Sequence, residues 1–506
     1  MRIVSGLKAL VAVLGVTAVV SCAQFVWGDP SGSSDRVPLT ERAGQPRLGS
    51  GIDSGRFSLE KSFTYQTSKG DSLFALQVKP DLEAGDPRPR DIVVMIDTTA
   101  SQAGRPFELA RQITEEVMRS ASPSDKIAVW TLNTPKATHS LTQGLRNADA
   151  GVLADALQEL RSAEYASGAS DLKNGFEKAL DESFEGRLSR QQIILFLGDG
   201  ESAYNNLSEK DRLELAQTMR NRRTQFFAVP LGPKIHAQNV NSLVVGTGGV
   251  VVRLPQNLEG DKAIAHTVDR FNEAARVPVL MPTELKFGTE VVEHFPSKLP
   301  PLRADTPTLI VGKLAKPSSR LDLSITGKVV NTEKTLDIAE ELPESRADHY
   351  FLSNIVDQWR SSGHPEAPAL LRADRTLALA YEQCRLARDE LLAQAHWAVH
   401  EDQYEVAANL YSAVNQLDPS EKEAAYGLKV AKRLSAGELT KEALEKNSRS
   451  NGDRLMIKPG RDEQVNAVRV RLQELADEEP AGGAAPVAAA ILACCGECRN
   501  RNAPGP

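Results

Sequence analysis

Cysteine is scarce, with five in 506 residues, which excludes a disulfide framework as the means of holding together a chain of this length. Three crowd the C-terminal end as Cys494-Cys495-Gly496-Glu497-Cys498, Cys384 stands alone in a helical pattern, and Cys22 closes the first apolar run. The terminal three have no evident fourth ligand for zinc and belong to a low-complexity tail. A basic surplus is also missing: 60 Lys and Arg face 67 Asp and Glu, a formal charge of −7. That balance argues against a general nucleic-acid binder, which carries a dominant basic stripe. Catalytic signatures are absent as well. There is no nucleophile elbow, no glycine-rich phosphate loop and no acid pair suited to glycoside chemistry. Gly246-Thr247-Gly248-Gly249 is too bare for a phosphate loop and reads as a turn. His396 and His400 share one helical face, but the Glu of a zinc protease motif and a third ligand are missing. The basic run Arg220-Asn221-Arg222-Arg223 ends a helical pattern, where cations complement the helix dipole.

What is present begins with an export pattern. Arg2 and Lys8 precede an apolar run from Ala9 to Val20, the layout of a secretory signal. Val19-Val20-Ser21-Cys22 resembles the lipobox of bacterial lipoproteins, which implies lipidation of Cys22. Ser21-Cys22-Ala23 also reads as a small-x-small cleavage site that releases a soluble product. A third reading keeps Leu7 to Trp27 as an uncleaved membrane anchor. The expected setting is the cell envelope, membrane-anchored, periplasmic or extracellular.

At 506 residues the chain needs more than one core. Residues 1–22 are the signal and 23–56, rich in Gly, Ser, Pro and Arg, a flexible linker. Residues 57–260 read as an α/β domain with a leading hairpin, formed by Phe57–Gln66 and Leu73–Lys79 around Ser68-Lys69-Gly70-Asp71. From Asp91 to about Leu254 short apolar strands alternate with amphipathic helices. Ile92–Ile96, Lys126–Leu132, Gln192–Leu197, Thr224–Pro230 and a closing Gly249–Leu254 are the strands, with His139–Leu145 as a short edge. Such alternation implies βαβ units and a doubly wound, mostly parallel, Rossmann-like sheet with helices on both faces. Residues 277–345 read as a small β module and 346–436 as a helical region. Residues 437–506 form a mostly disordered tail, with a helical pattern at Glu463–Glu474.

Two of the apolar strands end in carboxylates. Asp97 closes Ile92–Ile96 and leads into Thr98-Thr99-Ala100-Ser101, and Asp199 stands within Gly198-Asp199-Gly200. A third polar cluster, Ser167-Gly168-Ala169-Ser170-Asp171, lies where a helix begins. Ligands of open α/β sheets bind beyond the carboxyl ends of strands. Carboxylates and hydroxyls are hard oxygen donors of the kind Mg²⁺ selects. A carboxylate at a dry strand end is costly unless something positive meets it.

In this order the three clusters resemble the metal-ion-dependent adhesion site of von Willebrand factor A domains. The family's Asp-x-Ser-x-Ser stands here as Asp97-Thr98-Thr99-Ala100-Ser101, its Thr before Asp as Ser170, and its Thr-Asp-Gly as Gly198-Asp199-Gly200. The resemblance implies Asp97, Thr99, Ser101, Ser170 and Asp199 as ligands or water holders for Mg²⁺, or Mn²⁺ or Ca²⁺. It also implies a protein partner whose acidic side chain completes the coordination. The departures are Thr99 for Ser and Ser170 for Thr, which keep a hydroxyl, and Gly198, which removes one. Residues 391–434 resemble a tetratricopeptide repeat, with Ala395, Ala398, Tyr404, Ala407, Tyr411, Val414, Pro419, Ala424 and Gly427 at its positions. A plain helical hairpin or bundle fits that stretch as well. Either form is a second protein-binding surface.

The sequence therefore points to an exported, non-enzymatic, cation-dependent protein-binding protein that takes no nucleic acid. The alternative is a membrane-anchored scaffold acting through its helices, with a structural, metal-free α/β domain. A cation-assisted hydrolase would need a base and a nucleophile that no motif supplies.

Overall fold

The computed structural model describes residues 55–148, 151–162, 166–184, 189–441 and 443. The signal, Cys22, the cysteine-rich tail and the Glu463–Glu474 pattern lie outside the described residues. The chain divides into two compact units, one containing residues 54–382 and the other beginning at Gln383.

The first unit opens with the hairpin β1 (Ser62–Gln66) and β2 (Ser72–Val78). Strand β3 (Arg90–Asp97) is buried throughout. Helix α1 (Arg105–Ser120) follows, with Pro106 in its first turn, where the missing N–H costs nothing. Next come β4 (Lys126–Leu132), the two-residue strands β5 (His139–Ser140) and β6 (Arg146–Asn147), and α2 (Gly151–Ser162). Then α3 (Leu172–Ser183), β7 (Gln191–Gly198), α4 (Glu209–Asn221), β8 (Thr224–Pro230), α5 (Ala237–Thr247) and α6 (Gly260–Arg276) complete the α/β part. Ser208 and Asp211 start α4 with a reciprocal capping box, and Gly248 ends α5 in the left-handed conformation at φ 76°, which glycine adopts without strain.

The sheet order is β5-β4-β3-β7-β8, with β6 also on β4. Strands β3, β4, β7 and β8 run parallel, and β5 and β6 run antiparallel to β4. Alternate residues of β3 feed two cores. Ile92, Val94 and Ile96 pack with Phe107, Ile113 and Val117 of α1 and Val268 and Phe271 of α6. Val93 and Met95 pack with Phe176 and Leu180 of α3, Leu215 and Met219 of α4, and Val240 of α5. A strand covered on both faces needs the unbroken apolar run that the sequence shows.

Two details differ from the sequence reading. The expected closing strand Gly249–Leu254 makes a single bridge, Ala228 to Val251. A Cβ at Gly249 would lie 1.8 Å from the carbonyl oxygen of Phe226, so the chain crosses β8 closely and then leaves it before Pro255. The leading hairpin does not join the α/β sheet. Strand β2 pairs along its whole length with β12 (Thr308–Leu314).

The remaining strands are β9 (Val279–Phe287), β10 (Val291–Phe295), β11 (Leu302–Arg303), β12, β13 (Arg320–Val329) and β14 (Thr332–Glu341). They form two four-stranded sheets, β1-β2-β12-β10 and β11-β9-β13-β14. Phe74, Leu76, Val78, Ile310 and Leu314 of one sheet meet Leu280, Leu302, Leu323 and Ile325 of the other in one core. The hairpin is thus half of one sheet of a β sandwich. Helix α7 (Phe351–Ser361) follows, and Phe57 packs its ring on Phe63 and Phe351.

Helix α8 (Ala373–His400) begins in the first unit and ends in the second. The second unit continues with α9 (Tyr404–Leu417) and α10 (Lys422–Ser435). Ala395, Ala398, Ala407, Tyr411, Val414, Ala424 and Ala431 form its core. A Cβ at Gly427 would lie 2.5 Å from the Tyr411 ring, so that glycine lets α10 approach α9. His396 reaches Glu423 and His400 reaches Glu401, each at 3.1 Å; the two imidazoles take separate carboxylates. Among the described residues no helix is long and apolar enough to cross a membrane.

Candidate cation site at the end of strand β3

Strand β3 has β4 on one side and β7 on the other, so the winding direction reverses at its C-terminal end, the position at which open α/β sheets bind ligands. Asp97 occupies that end. The chain beyond it stays tied to β4, with Thr98 N donating to Leu132 O at 3.0 Å, and then turns through a short 3₁₀ segment, Ala100–Gln102.

Four of the five expected site residues form one polar chain. Asp97 Oδ1 accepts from Thr99 N at 3.0 Å, and the Thr99 and Ser101 hydroxyl oxygens are 3.1 Å apart. Ser101 Oγ donates to Asp199 Oδ2 at 2.5 Å, while Asp199 Oδ1 accepts from Glu201 N at 2.9 Å. Ser170 lies on a loop laced to this chain: Ser167 N donates to Thr98 O at 2.9 Å and Ala100 N to Gly168 O at 3.2 Å. Its own hydroxyl donates to the carbonyl of Glu201. Asp171, beside it, is used as the N-cap of α3, accepting from Asn174 N at 3.1 Å.

Asp97 is the exceptional group. It is 1% exposed, and its Oδ2 is buried with no hydrogen-bond partner. Burial pushes its pKa up to about 7; Thr99 opposes the shift and the neighbouring Asp199 carboxylate adds to it. A buried, unpaired carboxylate oxygen costs roughly 1–3 kcal/mol or more, so its persistence calls for a positive partner. The five expected site residues offer only carboxylate and hydroxyl oxygens, the set preferred by a hard divalent cation. Among the described residues no group of three or more His, Cys, Asp or Glu side chains that could hold a metal ion is found; the carboxylates of the polar chain are Asp97 and Asp199. The residues present fit a hard cation and do not fit a soft-metal site.

The structure also accounts for Gly198. A Cβ there would sit 2.4 Å from Asp97 Cβ and 2.9 Å from Asp97 Oδ2. The hydroxyl that the sequence lacks at this position has no room while Asp97 holds its place.

Several participants were not singled out by sequence. Asn133 donates through Nδ2 to Thr98 O at 2.9 Å and Ser167 O at 2.7 Å, which joins two site loops. It follows β4 directly, one residue past Leu132, and a polar residue at the end of an apolar strand was a usable signal. Ser202 Oγ accepts from Leu172 N at 3.1 Å. Gln102, 1% exposed, donates to Asp199 Oδ2 at 2.9 Å; nothing local in the sequence marks it.

The profile of the von Willebrand factor type A domain matches residues 91–273. Among solved structures the chain is similar to a von Willebrand factor type A protein from Catenulispora acidiphila, at 12% identity and a TM-score of 0.38, over 72% of this chain and 85% of that one. It is similar to the ArnB paralog VWA2 from Sulfolobus acidocaldarius, at 15% identity and a TM-score of 0.34, over 74% and 92%. It is also similar to proximal thread matrix protein 1 from the mussel byssus, described with a zinc-occupied metal-ion-dependent adhesion motif, at 17% identity and a TM-score of 0.30, over 39% and 48%. Such domains generally mediate protein–protein interactions. Residues 91–273, with their doubly wound sheet and the polar loops at its C-terminal edge, are a von Willebrand factor type A domain.

Proposed function

We propose that this chain is an exported, non-enzymatic binding protein that grips a protein partner through a divalent cation at the end of β3. Asp97, Thr99, Ser101, Ser170 and Asp199 would hold Mg²⁺, with Mn²⁺ or Ca²⁺ as substitutes. The observation that carries the reading is the buried, partnerless Oδ2 of Asp97. When bound, the cation would supply positive charge; Asp97 is the one carboxylate of the pair with an unpartnered oxygen, and the neutral hydroxyls beside it would leave part of that charge uncompensated, open to an acidic side chain from a partner. The chain's own residues orient the site: Thr99 N fixes Asp97, and Ser101 bridges toward Asp199.

Thermal unfolding of the full chain tests this. Mg²⁺ or Mn²⁺ at about 100 times its Kd raises stability by roughly 2.7 kcal/mol, and Asp97→Ala abolishes the rise. No cation-dependent shift in the parent protein would sink the reading. It would favour the alternative of an anchored scaffold whose helical, repeat-like unit docks the partner. That alternative has support in the exposed Trp397, Val406 and Tyr426 of the second unit. The export part of the proposal rests on the sequence before Cys22. Metabolic fatty-acid labelling lost in Cys22→Ser is the result expected of a lipid anchor; equal labelling of both forms overturns it.

A further inference from the structure

We infer that Gln102 is a positioning residue that aligns Asp199 and, through it, the Ser101 hydroxyl for the cation. The inference rests on the cation reading above and assigns a role to a residue outside that donor set.

Both oxygens of Asp199 are engaged. Its Oδ1 is taken by Glu201 N at 2.9 Å, and its Oδ2 receives both Ser101 Oγ at 2.5 Å and Gln102 Nε2 at 2.9 Å. The Gln102 amide is itself aimed by a second bond, Nε2 to Leu231 O at 3.2 Å. With the side chain buried in the turn Ala100–Gln102, the amide group has little freedom. Backbone on the far side is shaped to receive it. Gly232 has φ +120°, and a Cβ there would stand 3.1 Å from Gln102 Nε2 and 3.4 Å from Asp199 Cβ. A side chain at that position is both conformationally strained and crowded against the pair.

The juxtaposition matters because of Gly198. With no hydroxyl at position 198 and no room for one beside Asp97, the Asp199 carboxylate takes its side-chain donors from one short turn, residues 101 and 102. Apart from Asp199, the Ser101 hydroxyl has the Thr99 hydroxyl, 3.1 Å away, as a competing partner. A carboxylate fixed by the Gln102 amide holds the Ser101 proton on Asp199, which leaves the oxygen lone pairs of the exposed Ser101 for Thr99 and for the cation. The two functional parts are then divided: Asp97 is the carboxylate with an unspent oxygen, and Asp199 is the carboxylate that orients a hydroxyl. Gln102 maintains that division without touching the cation.

The test uses Mn²⁺ binding to the full chain, read by electron paramagnetic resonance. Gln102→Met keeps the side-chain length and removes the donor. It is expected to weaken Mn²⁺ binding about 10–100-fold, the usual cost of losing an outer partner of a metal site. In an Asp199→Asn background the same substitution is expected to change binding by less than about twofold, because the two act as a unit. An equal loss in both backgrounds overturns the inference, since a space-filling role would add. Wild-type binding retained in Gln102→Met overturns it alone, whereas absence of Mn²⁺ binding in the parent chain overturns the cation reading and this inference together. A readout without substitution guards against misfolding. In the full chain labelled with ¹⁵N-glutamine, the Gln102 side-chain amide should exchange slowly and shift on adding Mg²⁺; an unshifted, rapidly exchanging amide overturns the proposal.

Discussion

At the scale of single residues, the site is a set of small choices around one dry carboxylate. Asp97 ends a strand whose residues from Ile92 to Ile96 are at most 1% exposed, and burial holds its proton to about pH 7. The consequence for stability has a definite sign. An unfolded Asp releases its proton near pH 4, at about 3.9, so across the window from there to about 7 the folded state holds a proton that the unfolded state has lost. Stability of the cation-free protein therefore falls as pH rises through that window, and the full penalty is present above it. In chelator, Asp97→Asn is expected to unfold at higher urea than the parent at pH 8, by on the order of a few kcal/mol. The difference should vanish near pH 4. A parent protein as stable as Asp97→Asn at pH 8 would show that the Oδ2 atom has found a partner. The same residue, legible in the sequence as a polar end to an apolar run, stands beside one that was not legible. Gln102 is defined by Asp199, ninety-seven positions away, and no local pattern encodes that meeting.

At the scale of elements, small residues decide how closely neighbours approach. Ala395, Ala398, Ala407 and Ala424 are at most 1% exposed, and Gly427 faces Tyr411 where a Cβ would be 2.5 Å from the ring. The Tyr411 ring is buried at 3% exposure and has little room to move. Gly427→Val should overpack this contact and lower the stability of the helical unit by about 1–3 kcal/mol, seen as an earlier loss of helical circular dichroism in urea. An unchanged midpoint would mean that α10 can shift away from α9 freely. These positions were visible in the sequence as a spacing of small and aromatic residues. The strand β14 was less so, because its face alternates charges such as Glu333, Asp337 and Glu341 with half-buried side chains, and an edge strand with one wet face carries a weak apolar signal.

At the scale of the molecule, the first unit contains an α/β domain placed between two parts of one β sandwich. Strands β1 and β2 precede the α/β part, and β12, which pairs with β2 from Thr308 to Leu314, follows it. The hairpin brings Phe74, Leu76 and Val78 to the sandwich core, each worth about 1.5–3 kcal/mol of burial. Deleting residues 57–79 is expected to remove hydrogen-exchange protection from β9, β12 and β13 while β3, β4 and β7 stay protected. Retained protection in β13 would reduce the hairpin to an accessory. Sequence reading attached the hairpin to the domain next in line. Its turn and alternation are local signals, whereas its partner lies more than two hundred residues away, and loop closure on that scale leaves no trace in either strand.

What the amino-acid order determined by itself is whatever depends on short range. Apolar runs such as Ile193 to Leu197 require burial on both faces, amphipathic helices between them require a layered sheet, and polar residues at strand ends require a site at that edge. The tertiary structure alone decided which distant groups share a hydrogen bond or a ladder. It fixed Gln102 on Asp199, closed position 198 to any side chain by placing Asp97 against it, and sent the hairpin to β12. Those outcomes depend on distances of a few ångströms between segments that the chain orders far apart.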